Sequence, residues 1–178
     1  MKANRSLKSR ALQILAQRDQ SRLELKRKLL RHVRRETADA GGGGDDDDDD
    51  PAANLAAQVE ALLDWLESNR FLSDERFVES RVHARQARFG NLRIRSELAQ
   101  HGVSAPVELS HALEASELDR AAAVRERRFG AAPLDGAGRA AQGRFLANRG
   151  FTPDVVHRLM RRLRTSGTGS KPGPGETD

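Results

Sequence analysis

Hydrophobic positions recur every three or four residues along most of the chain, the spacing that places side chains on one face of an α-helix. Such stripes predict helices over 6–18, 21–34, 54–70, 73–89, 91–101, 104–115, 116–129, 138–149 and 152–164. Residues that favour β-strands are scarce, with two Ile, nine Val, one Trp and no Tyr, whereas helix-forming Ala, Leu, Arg and Glu are abundant. The pattern therefore predicts an all-α fold.

Residues that satisfy the unpaired backbone groups of helix ends stand at most of these boundaries. Ser21 with Glu24 forms a capping-box pattern, and Ser73 precedes two acids that suit the positive end of a helix. Further helix starts are expected at Asn91, Ser104, Ser116 and Thr152. Glycine follows four predicted helix ends, where a left-handed residue is typical: Gly90, Gly102, Gly130 and Gly150.

Two segments lack any such pattern. Residues 36–53, ETADAGGGGDDDDDDPAA, contain four consecutive Gly, which are flexible, and six consecutive Asp, which repel one another. Residues 165–178, TSGTGSKPGPGETD, are rich in Gly, Pro, Ser and Thr. We expect a disordered insert at 36–53, where a solvating linker is favoured over a cation site or a nucleic-acid decoy, and a disordered tail at 165–178.

The predicted helices repeat in register. Residues 85–90, RQARFG, match residues 125–130, RERRFG, and residues 98–104 match residues 146–152 with the same spacing of Leu and Gly. The chain thus divides into three units of three helices: 1–70 (interrupted by the insert), 73–115 and 116–164. Because no unit has enough apolar residues for an independent globule, we expect an elongated array of stacked units with an extended surface.

Charge is unevenly distributed along the chain. Its net charge is +5, but residues 1–35 carry twelve Lys and Arg against two acids, and residues 36–50 carry eight acids and no base. Residues 139–164 carry seven Arg against Asp154 alone. Concentrated positive charge points to a polyanion such as nucleic acid as part of the target.

Several classes of function are excluded by the residues present. The chain has no Cys, so it has no disulfide and no thiolate site, and no apolar run approaches the length of a membrane span. No phosphate loop, nucleophile–base pair or cofactor fingerprint occurs, and the five His lack zinc-ligand spacing. We expect a cytosolic, non-enzymatic protein without cofactor or metal.

Arginines provide the candidate binding residues. Arg81, Arg85 and Arg88 are spaced as one stripe on a helix, and Arg125 and Arg128 occupy the matching places in the third unit. The other candidates are Arg93, Arg95, Arg127, Arg158, Arg161 and Arg162, and a further basic group in the first unit comprises Arg22, Lys26, Arg27 and Arg31. Arginine suits phosphates and carboxylates because its planar fork binds them in bidentate fashion. The alternative is a set of solvated helix faces paired with acids such as Glu79 or Glu126.

Two aromatic residues lie beside this basic sequence. Phe89 and Phe129 could stack on nucleic-acid bases, but each directly precedes a predicted cap glycine. An apolar residue at that position usually packs into its own helix end, so we interpret both as core residues.

The stretch 70–103, RFLSDERFVESRVHARQARFGNLRIRSELAQHGV, resembles the central signature of the RecX family. Residues 11–25 near the N-terminus and residues 144–151 near the C-terminus add to the resemblance, which covers most of 6–164 in the family's order. Arg70 stands where family members often have Gly, and the insert replaces the glycine-bearing turn expected after His32.

The resemblance implies a modular all-α regulator that binds the RecA recombinase filament on single-stranded DNA, lying along its helical groove. Members interfere with filament growth and with its ATPase, strand-exchange and coprotease activities. We accordingly expect a monomer that contacts the RecA filament and single-stranded DNA, with double-stranded DNA as a weaker ligand and no membrane. The alternative, based on the basic N-terminal segment, is an all-helical DNA-binding or architectural protein that acts without a recombinase.

Overall fold

A computed structural model describes residues 6–39, 51–130 and 135–167 of the chain. These residues form eight α-helices and no β-strand, which confirms the predicted all-α fold. The helices are α1 (Leu7–Leu15), α2 (Arg22–Asp39), α3 (Pro51–Ser68), α4 (Asp74–Gln86), α5 (Asn91–Gln100), α6 (Val107–Phe129), α7 (Gly136–Asn148) and α8 (Pro153–Gly167).

The chain packs as two compact units. Unit 1 comprises Met1–Arg81 and Leu98–Ser104, and unit 2 comprises Val82–Glu97 and Ala105–Asp178. The boundaries of the three predicted repeats concern sequence similarity rather than packing, and they stay predictions.

Each unit has its own hydrophobic core, built from the stripes that the sequence displays. The core of unit 1 joins α1, α2 and α3 through the buried residues Ala11, Leu25, Leu29, Val59, Leu63, Leu66 and Leu72. The core of unit 2 joins α6, α7 and α8 through the buried residues Ala121, Val124, Leu146, Phe151, Val155, Val156, Leu159 and Met160. Burial of one stripe per helix is the main stabilising contribution in both units.

The predicted helix starts at Ser104 and Ser116 are wrong, because one helix begins at Val107 after Pro106 and continues past Ser116. α6 runs without a break from Val107 to Phe129, where two helices meeting at residues 115 and 116 were expected. The Ser116 hydroxyl donates to the Ala112 carbonyl oxygen at 2.8 Å, so it bonds back within the helix and caps nothing. Neither Gly nor Pro interrupts this span. The described residues therefore form eight helices, where three triplets would give nine.

The predicted glycine caps are confirmed at three positions. Gly102, Gly130 and Gly150 have φ angles of +73°, +52° and +80°. Gly90 does not adopt a positive φ, and it is required for a different reason. A Cβ atom at residue 90 would lie 2.2 Å from the backbone nitrogen of Phe151, because the two chain segments touch there.

Arg70 occupies a backbone conformation that favours glycine. Its φ of +60° is the one positive value among the non-glycine residues that the structure describes. The amides of Phe71 and Leu72 both donate to the carbonyl oxygen of Leu66, which closes the end of α3 around this left-handed residue. The departure from the glycine often found in the RecX family therefore costs about 1 kcal/mol of backbone strain.

The predicted disordered insert is helical at both of its edges. α2 extends through Asp39 and α3 begins at Pro51, so residues 36–39 and 51–53 belong to helices. The remaining residues of the insert, 40–50, lie outside the described residues. α8 likewise extends to Gly167, and residues 168–178 of the predicted tail lie outside the described residues.

Candidate functional site

Arg125 is buried, contrary to its prediction as a surface residue. Only 7% of it is exposed, and its Nε donates to Gln142 Oε1 at 2.9 Å. Its Nη1 donates to the Gly130 carbonyl oxygen at 2.7 Å and to Glu126 at 3.0 Å. Arg125 thus ties the end of α6 to α7, and we remove it from the candidate surface.

Three more predicted residues are held by partners within their own unit. In unit 2, Arg85 Nε lies 2.9 Å from Glu97 Oε2, and Arg95 pairs with Glu114. In unit 1, Arg81 Nη2 lies 2.8 Å from His101 Nε2. The acids that pair with Arg85 and Arg95 are on neighbouring helices, and of the two acids named from the sequence only Glu126 forms an ion pair among the described residues, with Arg125.

Several candidate arginines on α5 and α8 are exposed. Arg93 lies 3.5 Å from Glu97 and Arg158 lies 3.5 Å from Asp154, and both side chains are more than half exposed. On α8, a shallow cavity of about 290 Å³ is lined by Leu118, Arg158, Arg161 and Arg162. Exposed ion pairs of this kind contribute at most about 1 kcal/mol to stability. Their arginines can therefore leave the acid and bind another anion at little cost.

A concentration of unmatched positive charge lies in unit 2. Arg88, Arg127 and Arg128 are exposed and line a cavity of about 220 Å³ together with the half-buried Arg149. None of these four guanidinium groups has a carboxylate partner among the described residues. Sequence reasoning found the first three but missed Arg149, which it treated as a helix-end residue.

Aromatic rings take the place of acids beside these arginines. Phe89 lies under Arg88 and Arg149, at 5.7 and 5.5 Å from guanidinium carbon to ring centre. Arg149 also lies 5.2 Å from the Phe145 ring, and Arg128 lies 5.9 Å from Phe129. The rings of Phe129 and Phe145 meet edge to face at 5.2 Å. We call this set of residues the basic–aromatic cluster: Arg88, Phe89, Arg127, Arg128, Phe129, Phe145 and Arg149.

The aromatic residues of this cluster only partly follow the core interpretation. Phe89 and Phe129 are half-buried, and the structure places neither in the hydrophobic core of unit 2. Their faces are contacted by arginines, an arrangement that favours a cation on each ring.

A buried polar centre was missed by sequence reasoning. Glu117 is 2% exposed, and its Oε1 accepts the backbone amides of Asn91 at 2.9 Å and Thr152 at 3.1 Å. Its Oε2 accepts the Thr152 hydroxyl at 2.9 Å. One carboxylate therefore satisfies amides at the starts of both α5 and α8. The sequence signal was an acid on the same helical face as Leu113, Ala121 and Val124.

Arg120 completes this centre. Its guanidinium donates to the carbonyl oxygens of Gln86, Phe89 and Leu113 at 2.9–3.2 Å and to Asn91 Oδ1 at 2.5 Å. Burial lowers the pKa of Arg120, although the charge of Glu117 acts in the opposite direction. Asn91, predicted as a helix cap, instead accepts from Arg120 and donates its side-chain amide to the Leu113 carbonyl oxygen at 3.1 Å.

Two members of the basic group of unit 1 are neutralised by acids, whereas Arg27 and Arg31 donate to backbone carbonyl oxygens. Arg22 lies 2.7 Å from carboxylate oxygens of Glu60, Asp64 and Glu67 on α3, and Lys26 also pairs with Glu60. Burial lowers the pKa of Arg22, but hydrogen bonds and charges from these acids outweigh it and raise the pKa above its ordinary value. The pKa of Glu60 is correspondingly lowered by its hydrogen bonds from Lys26 and Arg22.

The described part of the chain offers neither a metal centre nor a membrane span. No group of three His, Asp or Glu side chains in 6–39, 51–130 and 135–167 is arranged to hold a metal ion. No helix in these ranges combines the length and the apolar character that a membrane span requires.

Comparison with known proteins gives one consistent result. Residues 73–107 match the model of the RecX second three-helix domain, and residues 115–160 match that of the third. The chain is 48% identical over 158 residues to the regulatory protein RecX of Herbaspirillum seropedicae, covering 88% of this chain and 87% of the relative. Identity to the regulatory protein RecX of Ralstonia nicotianae is 46%, over 87% of this chain and 86% of the relative. The resemblance expected from the sequence is thereby confirmed: the chain belongs to the RecX family of regulatory proteins.

Proposed function

We propose that this protein is a non-enzymatic regulator that binds the RecA filament on single-stranded DNA and inhibits its growth, its ATPase and its recombinase and coprotease activities. The observation that carries the proposal is the match to regulatory proteins RecX along most of both chains. The unmatched arginines of unit 2 support it, because a DNA-bound filament presents many negative charges.

The proposed contact residues come from the candidate arginines that remain exposed. In unit 2 they are Arg88, Arg93, Arg127, Arg128, Arg158, Arg161 and Arg162. Arg81, Arg85, Arg95 and Arg125 are assigned a structural role instead, because each has a partner outside its own helix, whereas the acid partners of Arg93 and Arg158 lie one turn away on the same helix.

The test is RecA ATPase on single-stranded DNA, measured while the protein is titrated from far below to above the RecA concentration. We expect inhibition that grows with the ratio of regulator to RecA, together with shorter filaments by electron microscopy. ATPase and filament length that stay constant across the whole titration would contradict the proposal. Lysozyme, another small basic protein, controls for displacement of RecA by charge alone.

A second candidate function is a DNA-binding protein that acts without a recombinase. The four guanidinium groups of the basic–aromatic cluster favour it, since they need only a polyanion. Tight, salt-sensitive DNA binding with no effect on RecA would select this alternative.

A further inference from the structure

We propose that the basic–aromatic cluster of unit 2 binds consecutive phosphates of a single DNA strand. The inference rests on the proposed function, in which the protein acts at a DNA-bound filament, and it assigns the DNA contact to one site. Arg88, Arg127 and Arg128 bind the phosphates directly, and Arg149 adds a fourth positive charge at the cavity wall.

The first argument is charge balance. Arg85, Arg95 and Arg125 have a carboxylate partner, and Arg125 also has the Gln142 amide and the Gly130 carbonyl. The four arginines around the 220 Å³ cavity have none among the described residues. Four positive charges held close together repel one another. An anion that enters the cavity relieves this repulsion, so its binding is electrostatically favourable.

The second argument is preorganisation. The rings of Phe89, Phe129 and Phe145 contact Arg88, Arg128 and Arg149. A contact with a ring face restrains a guanidinium group without consuming its N–H donors, which stay available to phosphate oxygens. Less side-chain entropy is then lost when the anion binds.

The third argument separates nucleic acid from an acidic protein segment. A DNA strand supplies one charge per nucleotide in a fixed succession, and each phosphate offers oxygens to more than one arginine fork. A single carboxylate would leave three of the four charges unmatched. The half-buried phenylalanines also offer apolar surface to the sugars and bases of a flexible single strand.

The experiment uses the full chain carrying R88A, R127A and R128A together. These side chains are exposed and hydrogen-bond to no core group among the described residues, whereas Arg149 is left in place because it contacts two rings. The matched control carries R18A, R76A and R95A, which removes the same net charge from three exposed arginines that each have an acid partner and lie outside the proposed contact residues.

Binding of a fluorescent oligothymidine is measured by anisotropy at several salt concentrations without RecA. Loss of three phosphate contacts should reduce the slope of log affinity against log salt by about 2 for the cluster variant. The control should keep the slope of the unmodified protein. Equal slopes for the two variants would overturn the proposal.

Two further measurements keep the result decisive. If circular dichroism shows that the triple variant loses helicity, a double variant replaces it. This variant carries R127A and R128A, both on the last turn of α6, and its slope of log affinity against log salt should fall by about 1.4. Polyglutamate is the second probe. A cluster variant that loses polyglutamate binding but keeps its DNA slope would assign the site to an acidic protein and overturn the proposal.

RecA ATPase measured in parallel separates this inference from the proposed function. An unmodified chain that never inhibits RecA refutes the function, whereas the DNA slopes still decide the assignment of the cluster. A cluster variant that has a reduced slope but still inhibits RecA would support both the proposed function and the DNA contact of the cluster. It would also indicate that part of the contact is made with RecA itself.

Discussion

Two clusters of basic side chains, one in each unit, are used in opposite ways. On α2 of unit 1, Arg22 and Lys26 face three acids of α3 at short range. In the basic–aromatic cluster of unit 2, Arg88 and Arg128 face rings, and both line one cavity with Arg127. The first arrangement stabilises packing between helices, and the second leaves positive charge available to a ligand.

This difference shows why charge counts along a sequence locate binding surfaces poorly. Residues 1–35 hold the greatest excess of Lys and Arg, yet the acids that neutralise part of it come from residues 60–67, after the acidic insert. The local potential depends on which helix packs opposite, so a modest excess without an opposing acid can be the stronger anion site.

The largest expected effect comes from the buried polar centre of unit 2. Replacing Glu117 with Ala leaves the amides of Asn91 and Thr152 without their acceptor and removes the carboxylate near Arg120. We expect a loss of about 3–5 kcal/mol in the free energy of unfolding, measured with urea. E114A on the same helix, which breaks only an exposed pair, should cost less than about 1 kcal/mol. Similar losses for the two variants would contradict a special role for Glu117.

A smaller effect is expected from the neutralised arginine of unit 1. R22A leaves Glu60, Asp64 and Glu67 close together without their shared cation, and should cost about 1–2 kcal/mol after allowance for solvent screening. Its salt slope for single-stranded DNA should equal that of the unmodified chain. R27A, which loses only a 3.3 Å bond to the Gln100 carbonyl, is the control for urea unfolding. A reduced DNA slope in R22A would break the contrast between the units.

Arg70 tests whether one unmatched charge is sufficient for DNA binding. R70G relieves the left-handed strain at φ +60° and should stabilise the chain by about 1 kcal/mol in urea unfolding. Because Arg70 has no neighbouring arginine cluster, its DNA slope should not change. R70A keeps the strain while removing the charge, so stabilisation by R70A equal to that by R70G would refute the backbone explanation.

The smallest effect concerns acid sensitivity. Burial raises the pKa of Glu24, but hydrogen bonds from Arg18 and Lys28 outweigh it and lower the pKa below 4.5. Stability from this carboxylate is complete above pH 4.5 and is lost as pH falls through the lowered pKa of the folded state. E24Q should therefore flatten the acid limb of a stability–pH curve, by about 1 kcal/mol or less. An unchanged acid limb would show that these pairs contribute nothing.

Much of the fold follows from local sequence signals. Stripes such as Leu25, Leu29 and Val33 are buried as spacing predicts, and Ser21 and Ser73 accept the amides of Glu24 and Arg76 as helix caps should. The break expected at Ser116 failed because a serine inside a helix can bond to the preceding turn. Sequence alone does not distinguish these two uses of a hydroxyl group.

The candidate site was predictable only in part. Arg125 and Arg128 lie three residues apart on the same helix, yet Gln142 of α7 meets Arg125 while Arg128 stays exposed. Which arginine is buried depends on the position of a neighbouring helix, and no property of residues 125–128 reveals it. The same limit hid Arg149, whose position over Phe89 is a long-range contact.

The shared acceptor at Glu117 has a consequence for hydrogen exchange. The amides of Asn91 and Thr152 are 61 residues apart in the chain but bond to one oxygen atom, Oε1. Because both amides bond to the same carboxylate, opening of the chain at one of them disturbs the hydrogen bond of the other. We therefore expect both amide protons to exchange with deuterium at similar, slow rates that a common opening event sets.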